Sequence, residues 1–202
     1  EGTTARITTM LYQIVDYPNA EDLNPTLYQL INDELKDHVA GGGNRTGWFF
    51  GLEKVDPLMK WIEEILPPIA HNFSRVPDSE SDSGEYGSER YYRHGRFTMN
   101  RFHGGGDLGF DPKAFSIVEC WGINYGKGEG VRPHNHYPYA LSFSYYVNMP
   151  EGSSPLVFEH DKVDMQEGQI IFFEGHTWHM VPGSNVSGRS VLAGNIAYYP
   201  PK

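Results

Sequence analysis

The stretch "VRPHNHYPYALSFSYYVNMP", Val131–Pro150, bears on both fold and chemistry. Its second half, rich in Ser, Tyr, Phe and Val, reads as a half-buried strand. His134 and His136 are expected to open that strand. Side chains two residues apart in a strand leave the same face, so the two imidazoles share a face and Asn135 takes the other. Such a pair can grip one metal ion, or it can be two solvated polar residues.

Working outward, strand-and-turn grammar runs from about Phe97 to the end of the chain. "AFSIVECWGINYG", "YALSFSYYVNMP", "SPLVFEH", "KVDMQ", "GQIIFFEG", "WHMVPG" and "RSVLAGNIAYY" follow one another with Gly, Pro, Asn and Ser between them. About seven short strands at this spacing predict a sandwich or barrel rather than a parallel sheet. No internal repeat is present. The expected fold class is α+β, mainly β: a double-stranded β-helix, or jelly roll, with two supporting N-terminal helices.

"ARITTMLYQIV" predicts an opening strand. In "NPTLYQLINDELKDHVAGGG", Asn24 can cap a helix with Pro25 in its first turn. Leu27, Leu30, Ile31 and Leu35 form its apolar face, and Gly41 to Gly43 end it. "VDPLMKWIEEILPPIAHNF" repeats the pattern with Asp56 as cap and Leu58, Trp61, Ile62 and Ile65 as stripe. Pro67 and Pro68 are expected to break or bend this second helix. The chain then turns polar and Gly/Ser-rich, which predicts a solvated loop or a substrate-facing lid. A single domain is expected, with residues 1–73 supplying the first strand and helices, 74–110 the lid or loop, and 111–202 the jelly-roll core.

A chain of 202 residues is long enough for one sizeable core. Its 16 Lys and Arg stand against 26 Asp and Glu, a net charge of −10 that opposes nucleic-acid backbones and anionic membranes. A local basic cluster around Arg90, Arg93, Arg96 and Arg101 runs against that trend. No apolar run reaches the length of a membrane span, and no signal-type segment opens the sequence. Cys120 is the only cysteine. It reads as a small buried hydrophobe, and its solitude excludes an intrachain disulfide and points to the reducing cytoplasm. The triplets at Asn44, Asn72 and Asn185 are then chance glycosylation matches.

Nine histidines are present, and three stand out. His134 and His136 follow the Gly-rich turn "YGKGEGVRP", and His179 follows the apolar strand "GQIIFFE". A jelly roll brings strands this far apart to the same mouth. Two ligands from one place and a third from another would hold a metal and leave its other face open. Arg189, ten positions after His179, can project inward beside it and bind a carboxylate, or sit at a strand end in a surface ion pair.

The order of Gly-rich turn, H-x-H, "YVN" at 146–148, distal His and the Arg of "GRSVLAGN" resembles the 2-oxoglutarate- and Fe(II)-dependent oxygenase superfamily. It is most similar to the prolyl-hydroxylase-like branch and to short bacterial and phage proteins carrying H-x-H. The resemblance spans Ala114 to Tyr199. It implies Fe(II), 2-oxoglutarate as cosubstrate and O2, with His134, His136 and His179 as metal ligands. Arg189 would bind the C5 carboxylate of 2-oxoglutarate, with Tyr125 or Tyr146 as hydroxyl partners. His136 stands where the family usually has a carboxylate, so the triad becomes three histidines. Otherwise a water or a carboxylate such as Glu159 takes that place. The implied reaction hydroxylates a C–H bond, and the substrate is a peptidyl or free amino acid or another small molecule. Trp121, Tyr137 and Arg101 are candidate substrate residues, within an aromatic mouth that also counts Tyr139, Phe143, Tyr145 and Trp178.

Two other classes compete. Gly128-to-His136 and Gly168-to-His179 match cupin spacing, but the cupin Glu is missing, Glu174 replaces its Pro, and Arg189 has no role there. A non-catalytic jelly-roll binding module would hold no iron. A structural zinc site is disfavoured by the lone cysteine. The sequence says nothing of oligomeric state.

Overall fold

The computed structural model describes residues 12–39, 42–74 and 114–199. The expected lid, with Arg101 and "HGGGDLGF", lies from residue 75 onward outside the described residues. The elements are β1 (Tyr12–Asp16), α1 (Ala20–Asp33), β2 (Lys36–Val39), β3 (Gly42–Arg45), α2 (Phe50–Lys54) and α3 (Asp56–Ser74). The second half supplies β4 (Phe115–Tyr125), β5 (Val131–His134), β6 (Leu141–Asn148), β7 (Leu156–Phe158) and β8 (Lys162–Val163), then β9 (Gln169–Glu174), β10 (His179–Val181) and β11 (Arg189–Tyr198). No described helix is long and apolar enough to cross a membrane.

All strand pairs are antiparallel and form two sheets. One has seven strands in the order β1-β9-β6-β11-β4-β3-β2, the other four in the order β5-β10-β7-β8. This is an α+β fold with two facing sheets and N-terminal helices, resembling a double-stranded β-helix. The central strands of the seven-stranded sheet are buried on both faces. Alternate residues of β6 show why: Leu141, Phe143 and Tyr145 join the core under the helices, while Tyr146 joins the core between the sheets. In β9, Ile170 and Phe172 face the helices and Ile171 and Phe173 the other sheet. Such strands read as continuous apolar runs rather than clean alternation.

The helices depart from expectation in three places. First, α1 begins at Ala20, so Asn24 is not its cap but a buried residue of its second turn, where its Oδ1 accepts from the Tyr145 hydroxyl at 2.6 Å. Second, α3 runs unbroken through Pro67 and Pro68. The carbonyls those prolines leave unbonded belong to Glu63 and Glu64, both exposed, so water can serve them. Fully buried Leu27 and Ile31 on α1 and Leu58 and Ile62 on α3 contribute roughly 1.5–3 kcal/mol each. Leu66 of α3 is buried as well, and Leu58, Ile62 and Leu66 together offset the roughly 6 kcal/mol that two interior prolines cost. Third, the segment read as the tail of the first helix is instead the β2–β3 hairpin, and a short α2 makes three helices rather than two among the described residues. Arg45 of β3 pairs with Ile123 of β4, which extends the large sheet past the site.

Candidate metal centre

β10 pairs with both β5 and β7, and its register sets His179 directly opposite His134. The two rings stand 4.3 Å apart between centroids. His136 reaches them differently from the expected strand. β5 ends at His134 and the next strand starts only at Leu141, so the H-x-H pair does not open it. Between them the chain turns through a cis Tyr137–Pro138 peptide. The His136 amide donates to the Gly175 carbonyl, and the Gly175 amide donates to Ala140. A side chain at Gly175 would put its Cβ 2.1 Å from the Tyr139 carbonyl oxygen, so only glycine allows this approach. The turn swings the His136 ring back to 5.0 Å from His134 and 5.1 Å from His179. One nitrogen from each ring lies within 4.8 Å of the others, and no other such group of His, Cys, Asp or Glu occurs among the described residues.

Two of the rings are prepared to offer a lone pair. His134 Nδ1 lies 2.9 Å from the Arg132 carbonyl, and His179 Nδ1 lies 2.9 Å from the Thr177 carbonyl. A carbonyl can only accept, so each Nδ1 carries the proton and Nε2 is left as donor to a cation. Burial, reinforced by the neighbouring His134, lowers His136 to about 4 and His179 to about 3. Both are therefore neutral near pH 7, the state that metal binding requires.

Arg189 is inside the protein, not at a surface strand end: it is 2% exposed. Its register partner is Tyr125, and its guanidinium lies 4.7 Å from the Tyr125 ring and 5.4 Å from that of Tyr146. Nε and Nη1 have no hydrogen-bond partner among the described residues, and neither does the Tyr146 hydroxyl. Burial raises the phenol of Tyr125 and pushes that of Tyr146 up to about 12 against the pull of the Arg189 charge, so both stay protonated. Arg189, both tyrosines and the three histidines line one cavity of about 510 Å³. An uncompensated guanidinium in such a place is costly unless an anion joins it.

Of the remaining candidates, Trp121 lines the cavity with its ring 6.0 Å from that of His136. Tyr137 lines the mouth and is 63% exposed. Arg101 lies outside the described residues. Trp178 is exposed and does not line the cavity, while Phe143 and Tyr145 belong to the core on the helix side. Glu159 is exposed beside His160 at 3.6 Å and is not among the cavity residues. Cys120 is fully buried, and that burial pushes its thiol far up. Glu174 faces His176 at 3.9 Å outside the cavity.

The cavity also holds Arg45, Trp48, Glu119 and Asn195, which sequence reasoning missed. Asn195 Nδ2 donates to Glu119 at 2.7 Å, and Ser142 Oγ donates to Asn195 Oδ1 at 3.0 Å. A signal for two of them existed. Counting by twos back from Tyr125 reaches Trp121 and Glu119, and counting forward from Arg189 reaches Asn195. Arg45 and Trp48 lie in "GGGNRTGW", which reads as a loop and gave no such cue.

No protein-family model matches the sequence, and neither does any curated protein. Solved structures do match. A viral collagen prolyl hydroxylase from Paramecium Bursaria Chlorella virus-1, in its 2OG complex, aligns with a TM-score of 0.61 at 14% identity over 94% of this chain and 97% of its own. A prolyl hydroxylase from Trichoplax adhaerens, in complex with a hypoxia inducible factor peptide fragment, aligns at 0.51 and 14% over 93% and 84%. A non-heme alpha ketoglutarate dependent epimerase of nogalamycin biosynthesis aligns at 0.58 and 11% over 95% and 81%. What the chain has in common with these three is the fold: two antiparallel sheets with helices packed against the larger one.

Proposed function

We propose that this protein is an Fe(II)- and 2-oxoglutarate-dependent oxygenase of the prolyl-hydroxylase-like branch, hydroxylating a C–H bond of a free or peptidyl amino acid. The observation that carries this reading is the buried Arg189 guanidinium, whose Nε and Nη1 have no hydrogen-bond partner among the described residues, in the same cavity as the three histidines. A histidine cluster alone would fit many metalloproteins. A histidine cluster facing a guanidinium in need of a carboxylate fits a centre with a dicarboxylate cosubstrate. The cupin spacing gives Arg189 no task. The fold likeness to a viral enzyme solved with 2OG supports the same assignment.

In this reading His134, His136 and His179 would hold Fe(II) through one nitrogen each. Arg189 takes the distal carboxylate of 2-oxoglutarate, and the protonated Tyr146 hydroxyl donates to the same group. The Tyr125 ring keeps the guanidinium flat. With both groups bound, the centre supplies an oxidant by coupling O2 to the decarboxylation of 2-oxoglutarate, so that R–H, O2 and 2-oxoglutarate give R–OH, succinate and CO2. The protein's own work is geometric: fix the ring tautomers, neutralise the cosubstrate and keep water out with Trp121 and its neighbours. A triad of three neutral histidines leaves the centre one unit more positive than one containing a carboxylate.

The test is anaerobic addition of Fe(II) and then 2-oxoglutarate to the metal-free protein. A weak visible charge-transfer band is expected only after both, and it is expected to vanish in His179→Ala and Arg189→Ala. Tight metal binding without a band, unaffected by Arg189→Ala, would refute the proposal.

A further inference from the structure

Besides the exposed Arg132 at the rim, two charges in the cavity have no part in the chemistry just assigned. Arg45 sits on β3 opposite Ile123, and its guanidinium carbon lies 3.9 Å over the Trp48 ring. Trp48 packs edge-on against Trp121 at 4.7 Å, and Trp121 in turn lies 6.0 Å from His136. A continuous row of contacts therefore leads from Arg45 to the metal cluster. Arg45 Nε is buried with no hydrogen-bond partner among the described residues, and Nη1 makes only a long 3.4 Å bond to the Thr46 carbonyl. Glu119 is two residues before Trp121 in β4 and lines the same cavity. Its carboxylate accepts from the neutral Asn195 amide, and the Tyr139 hydroxyl is its other hydrogen-bond neighbour. No ion pair joins Arg45 or Glu119 to any described residue.

No hydrogen bond or ion pair joins these two opposite charges to each other. Ile123, the register partner of Arg45, lies on the same face of β4 as Trp121 and Glu119, and all three line the cavity. The Arg45 fork is held against an indole, so it loses little freedom when it meets a planar anion. Two unpaired charges of opposite sign beside Trp121, next to the candidate metal ligands, are complementary to a zwitterion.

We propose that this end of the cavity binds a free amino acid as substrate. Arg45 receives the carboxylate, Glu119 receives the ammonium, and the carbon skeleton crosses Trp121 toward His136. This deepens the oxygenase reading and rests on it for the reaction, but not for the binding. It also separates the two substrate classes that reading allows. A residue inside a peptide carries neither backbone charge, so it would cover both protein charges without giving either an ionic partner, which sites built for polar partners reject strongly.

The test uses the full-length metal-free protein and the twenty common L-amino acids, each as free acid and as its α-carboxamide. Binding is read from tryptophan fluorescence, with Trp48→Phe identifying the responding ring. At least one free acid is expected to bind, with its carboxamide roughly 10- to 100-fold weaker, the loss expected for one charge-assisted pair. Arg45→Gln should weaken the acid by the same factor and leave the carboxamide unchanged. Arg45→Lys should recover part of the loss. Unchanged melting curves and circular dichroism of the metal-free protein establish that each variant is folded. Equal binding of acid and carboxamide, equal binding of N-acetylated dipeptide amides, no effect of Arg45→Gln, or no binder in the panel would each overturn the proposal. Because no iron is needed, these failures stay distinct from the absence of a charge-transfer band.

Discussion

Arg189 is the residue whose structural and functional roles can be pulled apart. A buried charge without a counter-ion costs stability, and replacing it by an apolar chain of similar length is neutral or favourable. Arg189→Met is expected to leave the metal-free protein as stable or to stabilise it by about 1–3 kcal/mol, while abolishing any rise in melting temperature from 2-oxoglutarate. A plain loss of stability would mean that the stacking on Tyr125 and Tyr146 outweighs the buried charge. The histidines give a pH signature. His136 and His179 take up a proton near 4 and 3 in the fold, against about 6.5 in the unfolded chain. The unfolded state therefore binds more protons below pH 6.5, and stability falls as pH drops from there toward 4. Shifts of this size correspond to on the order of 3 kcal/mol per ring. Melting of the metal-free protein between pH 7.5 and 4.5 should show that slope, and His179→Gln should flatten it.

At the scale of elements, the turn carrying His136 is set by one glycine. Gly175→Ala drives a Cβ into the Tyr139 backbone, so the turn must move. A loss of about 1–3 kcal/mol is expected from the forced overlap. Metal affinity should fall at least tenfold while circular dichroism keeps the sheet signature; metal titration checks the first and spectra the second. This is also where sequence reading succeeded and failed. The apolar stripes of α1 and α3 and nearly every C-terminal strand were legible, because period and punctuation are local signals. The start of α1 was not, since Asn24 looks like a cap yet is held by Tyr145 from a strand far along the chain. The prolines of α3 were misjudged for a related reason: burial by the sheet overrides a local breaker. His136 belonged to a turn because of Gly175, some forty residues later, which nothing near "HNH" announces.

Across the whole molecule, the candidate centre straddles the two sheets. His134 and His179 stand on the four-stranded sheet, while Arg189, Tyr125 and Tyr146 belong to the seven-stranded one. A metal and a cosubstrate bound together would tie one sheet to the other. Saturation at about a hundred times the dissociation constant should add about 2.7 kcal/mol, and a chelator should remove it. Thermal melts with Fe(II) and 2-oxoglutarate, alone and combined, under anaerobic conditions measure this; no combined effect would speak against a shared cavity. The meeting of His134 with His179 was expected from the jelly-roll topology, but not their direct pairing, because register between strands so distant leaves no mark in either strand. Arg189 as an interior residue was likewise one of two open readings until the β4–β11 ladder put it beside Tyr125.

β1 has a consequence of another kind. It flanks β9 at one margin of the large sheet, with Tyr12 opposite Phe173 and Asp16 opposite Gln169, and Tyr12 is latched to Asp161 by a 2.7 Å hydrogen bond. β9 reads "QIIFFE", an uncharged, β-branched and aromatic core between its end residues. Cutting the chain after Asp16 would strip that strand of its neighbour and bare a ladder of unsatisfied amides and carbonyls. Such an edge recruits another copy of itself. The first strand thus serves as a guard against self-assembly, and the truncated protein should precipitate or form fibrils under conditions where the intact chain stays monodisperse in light scattering.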